Sequence, residues 1–256
     1  MTAYQNWKNK LYTPRQKETF ALSRSKIELF VECPKCFYLD RVHGVSRPKT
    51  PSFLINMTID ELLKKEFDQH RKDSTPHPLM IKNNIDAIPF NHAELQNWRN
   101  NFKGIRTVHE PTNLEIFGAV DDLWISPDND LYVVDYKATS KNEEITLEDR
   151  WKAGYKRQIE IYQWLLKQQG FNVSARSFFV FANAIQDQDS FDSKLDFDMT
   201  VLEYQGQTHW IDEVLNKIKH TLDSLRIPKQ SVECEYCSYV LQRESTTQSD
   251  ETIIQI

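Results

Sequence analysis

The chain has 256 residues, 39% of them apolar and 12% aromatic, which is enough to build one large core or two small ones. Its net charge of −5 speaks against a uniformly basic coat for nucleic acid, while leaving room for a local groove. No apolar run reaches the roughly 18–20 residues of a membrane span, and the polar start lacks the apolar core of a secretory signal, so a cytoplasmic location is expected.

Residues 1–22 are polar and read as an irregular arm. Ser23 and Ser25 offer hydroxyl caps to a helix carrying Ile27, Leu29, Phe30 and Val31. Pro34 predicts a break near Cys33, followed by a second helical turn through Phe37, Tyr38, Leu39 and Val42 and a loop over Gly44–Pro51. Between residues 52 and 71, Leu54, Met57, Leu62, Leu63 and Phe67 recur as the apolar face of an amphipathic helix. Asp60 lies in that helix, where the simplest partner is Lys64 one turn on, as an exposed pair. A loop covers 73–91, and a short helix over His92–Phe102 bears Trp98.

The most informative stretch, Gly118 to Lys137, predicts two strands around the turn Ser126–Asp130. Ile116, Val120, Leu123, Trp124 and Ile125 make the first strand apolar; Leu131 to Lys137 form the second. An aspartate in such a strand is costly unless something binds it. Asp135 and Lys137 are two apart and share a face, and a neighbouring strand can bring Asp121 beside Asp135. Two carboxylates and an ammonium on one face suit a hard cation with a charged helper. A bare Asp-x-Lys is also common as solvent-facing charge. Asp122 is expected to point away from Asp121 and is left out of the site.

Leu147–Gln169 is the clearest helix, stopped by Gly170. Gln158 and Tyr162 share one face, with Tyr155 a turn earlier, and Lys152, Lys156 and Arg157 make its first half basic. Trp151, Trp164 and Phe178 read as core. Strands are expected over Val173–Ala182 and Leu195–Tyr204, a helix over Thr208–Leu225, and a flexible tail over 241–256. Cys33, Cys36, Cys234 and Cys237 form two Cys-x-x-Cys pairs near opposite ends. In a reducing compartment such pairs point to a metal. Four thiolates suit a [4Fe–4S] cluster or tetrahedral Zn²⁺, and spacing does not separate the two. A thiol–disulfide oxidoreductase would need a thioredoxin-like context that is missing.

Taken together, these residues resemble the RecB-like branch of the PD-(D/E)XK nuclease superfamily from Ser23 to Cys237. Gly118-Ala-Val-Asp121 is similar to its Gly-x-x-Asp strand, Val133-Val-Asp135-Tyr-Lys137 to its Asp/Glu-x-Lys strand, and Gln158-x-x-x-Tyr162 to its helical signature. Ser23-x-Ser25 through Cys33-Pro34 resembles the start of cluster-bearing members, the CRISPR-associated RecB-like exonucleases and the AddB nuclease domain. The resemblance implies an α/β, restriction-endonuclease-like core: a central mixed β-sheet flanked by helices, with the N- and C-terminal ends joined by a four-Cys metal centre. It implies an arm over 1–22, a nuclease domain over 23–240 and a tail over 241–256.

The implied activity is a metal-dependent deoxyribonuclease, an exonuclease, whose partners are DNA and other proteins of a repair, recombination or CRISPR pathway, with no membrane. Asp121, Asp135, the Tyr136 carbonyl and Asp60 would hold Mg²⁺ or Mn²⁺. Lys137 would serve the attacking water, Gln158 and Tyr162 would orient Lys137 or the DNA, and Lys152, Lys156 and Arg157 would meet phosphates. Two departures stand out. Asn56-Met-Thr-Ile-Asp60 puts an aspartate where the family usually has a histidine, and the cysteines split two and two rather than one and three, so Cys36 would supply the missing ligand. The family likeness favours the cluster over zinc. A catalytically silent nucleic-acid-binding or assembly subunit on the same fold is the competing reading.

Overall fold

The structure, a computed structural model, describes residues 11–48, 51 and 53–253, with side chains described through residue 247. In chain order its elements are β1 (Phe20–Ser23), α1 (Arg24–Glu32), α2 (Pro34–Tyr38), α3 (Leu54–Asp73), α4 (Pro78–Lys82), β2 (Ile88–Pro89) and α5 (Leu95–Trp98). Next come β3 (Ile105–His109), β4 (Leu114–Gly118), β5 (Asp122–Ile125), β6 (Leu131–Thr139), α6 (Ala153–Gln168), β7 (Arg176–Ala184), β8 (Phe197–Gln205), α7 (Trp210–Asp223) and α8 (Glu235–Ile253).

The described fold divides into two compact units. One combines residues 1–50, 109–114 and 212–256; the other holds 51–108 and 115–211. The second contains a five-stranded sheet in the order β2-β5-β6-β7-β8. Only β6 and β7 run parallel, and the other neighbours are antiparallel, so the sheet is mixed. A parallel pair needs a long crossover, and α6 supplies it. Strand β6 is buried from Leu131 to Tyr136 because both its faces are covered. On one face α3 packs Leu63 and Phe67 against Trp124, Val134, Tyr136, Phe178 and Val180.

Several expectations need correction. The apolar face of α3 is set by Leu63, Phe67 and Arg71 at four-residue spacing, whereas Leu54, Met57 and Leu62 are exposed. The first expected strand of the hairpin is broken at residues 119–121, which places Asp121 in the break just before β5. The helix expected from Leu147 begins at Ala153, after a 3₁₀ turn over Arg150–Lys152. Trp164 and Phe178 are core, but Trp151 is 55% exposed. Of the arm, residues 1–10 lie outside the described residues; Tyr12 and Leu22 are buried, and the Tyr12 hydroxyl donates to Asp223 Oδ1 at 2.6 Å. Most of the segment 241–256 is helical, as the last turns of α8, and residues 254–256 lie outside the described residues.

Candidate active site and thiol centre

The alternation of β6 sends Val134 and Tyr136 into the core under α3 and turns Asp135 and Lys137 to the other face. There Gln158 Nε2, from α6, donates to Asp135 Oδ1 at 2.7 Å and lies 3.4 Å from the Tyr162 hydroxyl. Lys137 forms an ion pair with Asp135 Oδ2, and its ammonium sits 4.6 Å from the ring centre of Tyr155. Asp121 accepts from the Tyr136 backbone N–H at 3.1 Å through Oδ2. From α3, Lys64 Nζ reaches Asp60 Oδ2 at 2.6 Å and Asp121 Oδ1 at 3.6 Å. A cavity of about 150 Å³ is lined by Asn56, Asp60, Tyr136, Lys137 and Tyr155 among others.

Electrostatics set these carboxylates apart from surface acids. Burial pushes the Asp135 carboxyl up to about 7; Lys137 opposes the shift and neighbouring Asp121 adds to it. Asp60 is raised by burial and by Asp121, against the pull of Lys64. Burial alone would lower Lys137, but Asp135 and Asp121 raise it, so it stays an ammonium. Asp60 Oδ1 is buried without a hydrogen-bond partner, while buried Asp135 Oδ2 meets the Lys137 ammonium. A desolvated, unpartnered oxygen beside two further carboxylates is what a hard divalent cation would satisfy, so the donor set of Asp60, Asp121 and Asp135 fits such an ion. The three are not drawn within 4.8 Å of one another; among the described residues only the cysteines form so tight a group. Lys64 stands between two of the carboxylates.

Asp122, the first residue of β5, has partners other than those of Asp121 and is far from idle. Fully buried, it accepts from Arg71, from Arg99 Nη2 at 3.0 Å, from the Tyr136 hydroxyl at 2.6 Å and from the Leu123 N–H at 2.8 Å. Arg99 Nε also donates to the Asp121 carbonyl at 2.9 Å, so this buried network fixes the backbone that carries Asp121. Sequence reasoning missed this role and the second partner of Lys64, and it put Tyr155 near the Gln158 face without giving it a task. The basic face of α6 also differs from expectation. Lys152 is 2% exposed, held by Asp149 at 2.7 Å and the Thr146 carbonyl, and so is not offered to phosphates. Lys156 pairs with Glu148 at 3.7 Å, and Arg157 is half-buried.

The other unit brings all four cysteines together, buried and free of disulfides. Cys33 and Cys36 flank the start of α2, where Pro34 forces the break, and Cys234 and Cys237 open α8. Sulfur separations are 3.9 Å for Cys33–Cys237, 3.6 Å for Cys36–Cys234 and 3.5 Å for Cys36–Cys237. Burial would raise the Cys33 thiol, but backbone N–H groups of Cys36 and Ser231 bring it down to about 6; burial pushes Cys36 and Cys237 up. Arg47 donates to Cys234 Sγ at 3.5 Å, pairs with Glu32 and stacks on Tyr236 at 4.6 Å. The four thiols can bind a metal, and the guanidinium beside them offsets the negative charge such a centre would carry.

A family model described as the PD-(D/E)XK nuclease superfamily matches residues 54–240. No curated protein matches the chain. Among solved structures, one described as "Crystal structure of SSO0001" is 14% identical over 89% of this chain and 87% of that one, with a TM-score of 0.37. No helix among the described residues is long and apolar enough to cross a membrane.

Proposed function

This chain belongs to the PD-(D/E)XK nuclease superfamily, and on that premise we propose that it is a RecB-like deoxyribonuclease using Mg²⁺ or Mn²⁺, acting from DNA ends in repair, recombination or mobile-element processing. The observation that carries this reading is the buried Asp135 carboxylate, pushed up by burial and by neighbouring Asp121 and paired with Lys137 on the same strand face. Asp60, Asp121 and Asp135 are the residues that would hold the ion. Once bound, it would supply Lewis-acid polarisation of the phosphate and a lowered pKa for a bound water.

The chain's own groups do the rest. Gln158 fixes the Asp135 carboxylate through a 2.7 Å bond, with Tyr162 behind it. Lys137, kept charged by two aspartates and lying on Tyr155, orients the attacking water and offsets negative charge growing on the phosphate. Half-buried Lys156 and Arg157 guide the DNA backbone. For the thiol centre, a tetrahedron with metal–sulfur bonds of about 2.3 Å has edges of roughly 3.8 Å. Three of the six sulfur separations, 3.5–3.9 Å, match those edges, and all four sulfurs lie within 4.8 Å of one another; zinc and the [4Fe–4S] cluster are both candidates for the centre. Four cysteines that gather without forming disulfides suit a reducing compartment, the cytoplasm.

Cleavage of end-labelled linear and closed circular DNA with Mg²⁺ or Mn²⁺ tests the activity. Lys137→Met should lose about 10²–10³ in single-turnover rate while binding DNA and metal. Wild-type-like cleavage by that variant would move the active site elsewhere, and equal degradation of circular DNA would remove the requirement for an end. The silent-subunit reading has one observation in its favour: Lys64 occupies the space between Asp60 and Asp121. A wild type that binds no Mn²⁺ would select it.

A further inference from the structure

Lys64 is more than the helical partner of Asp60. Its ammonium lies 2.6 Å from Asp60 Oδ2 and 3.6 Å from Asp121 Oδ1, joining carboxylates that α3 and the break before β5 bring from separate parts of the chain. Its side chain is only 14% exposed, so this is not a solvated surface pair. A cation placed there opposes the repulsion between two carboxylates and takes the position from which a hard ion would meet both. The site holds three carboxylates, from Asp60, Asp121 and Asp135, and two ammoniums, from Lys64 and Lys137, a formal charge of minus one. A divalent ion added to that set would leave it at plus one, with two like-charged cations side by side. Withdrawal of Lys64 returns the set to neutral. Its stem of four methylenes allows the movement, and Asp60 and Asp121, both partly exposed, leave a way out.

We propose that Lys64 is a resident counter-ion: it partly offsets the charge of Asp60 and Asp121 while the metal is absent and swings out when a divalent cation binds, so that metal binding is the exchange of one cation for another. The proposal rests on the metal site described above. It assigns the aspartate in this position a task a histidine could not share, since only a carboxylate pairs strongly with the lysine one turn on in the empty state.

The test is Mn²⁺ binding followed by the electron paramagnetic resonance signal of free Mn²⁺, with no substrate and no turnover. Wild type is compared with Lys64→Met, which keeps the stem and loses the charge, and with Lys64→Gln, a second route should the first fold poorly. Exchange predicts that both variants bind Mn²⁺ about tenfold more tightly, equivalent to about 1.4 kcal/mol. It also predicts a lower melting temperature in EDTA and a larger rise on adding Mn²⁺. Unchanged or weaker Mn²⁺ binding by both variants overturns the exchange while leaving the metal site standing. A wild type and variants that all fail to bind Mn²⁺ overturn the metal site as well.

Discussion

Asp121 and Asp122 are neighbours in sequence, yet their substitution should have opposite consequences. Asp122 is fully buried and accepts from two guanidiniums, a phenol and a backbone N–H. In Asp122→Asn the amide cannot accept at both positions, and Arg71 and Arg99, each only 6% exposed, are left with Asp68 as their remaining carboxylate. Breaking one side of a buried ion pair costs about 3–5 kcal/mol. At roughly 2–4 °C per kcal/mol for a chain of this size, the melting temperature should fall by about 10 °C. Asp121 is partly exposed, and in Asp121→Asn the amide oxygen can still accept from the Tyr136 N–H. Its loss also relieves repulsion with Asp135 and Asp60, so stability should change by no more than about 1 kcal/mol. Thermal denaturation in EDTA and in Mg²⁺, beside DNA cleavage at low temperature, separates the two. Asp122→Asn should melt early in both buffers and cleave while folded. Asp121→Asn should melt like wild type in EDTA, gain nothing from Mg²⁺ and fail to cleave. Wild-type stability for Asp122→Asn, or the same pattern for both variants, would refute the separate roles of the two carboxylates.

Three further outcomes are expected. Cys36→Ser should lose bound metal, measured by elemental analysis and thiol titration, and should melt earlier because metal binding contributes folding free energy; absorbance near 400 nm in protein purified without oxygen would choose the cluster over zinc. Lys152→Met should leave the salt dependence of DNA binding unchanged, because its ammonium is buried against Asp149 and Thr146; a reduced salt slope would put it back among the phosphate contacts. Burial opposes ionisation of Asp40, but Lys26 at 2.7 Å, Ser46 and Arg41 at 2.7 Å bring its pKa below the usual value. Its stabilisation is therefore complete above the unfolded carboxylate pKa of about 4 and is lost as pH falls through the lower folded value. Asp40→Asn should flatten the acid limb of a melting-temperature profile below about pH 4, and an unaltered limb would show that the pair contributes nothing.

What could be read from the sequence was local or periodic. Asp135 and Lys137 share a face because strands alternate; the four-residue spacing of Gln158 and Tyr162 fixes their common side of α6; two Cys-x-x-Cys pairs announce their own meeting. Proximity created by packing was not legible. Nothing in the neighbourhood of Lys64 names Asp121 as its second partner, since α3 must first dock on the sheet. Lys152 looks like any cation near a helix start, and only the fold of residues 146–149 around it decides that it is buried. Leu54, Met57 and Leu62 match a helical period well enough, but the core selects the stripe through Leu63, Phe67 and Arg71, which a mean apolar pattern does not distinguish.

The unit holding the cysteines is assembled from the two ends of the chain, and this dictates a timetable during synthesis. Cys36 leaves the ribosome 198 residues ahead of Cys234. At 5–20 residues per second, Cys33 and Cys36 wait roughly 10–40 s for their partners. During that interval residues 51–108 and 115–211 are made, so the unit with the five-stranded sheet is complete in sequence before Cys234 emerges. A metal held by all four thiols could therefore load only after Cys237 has been made.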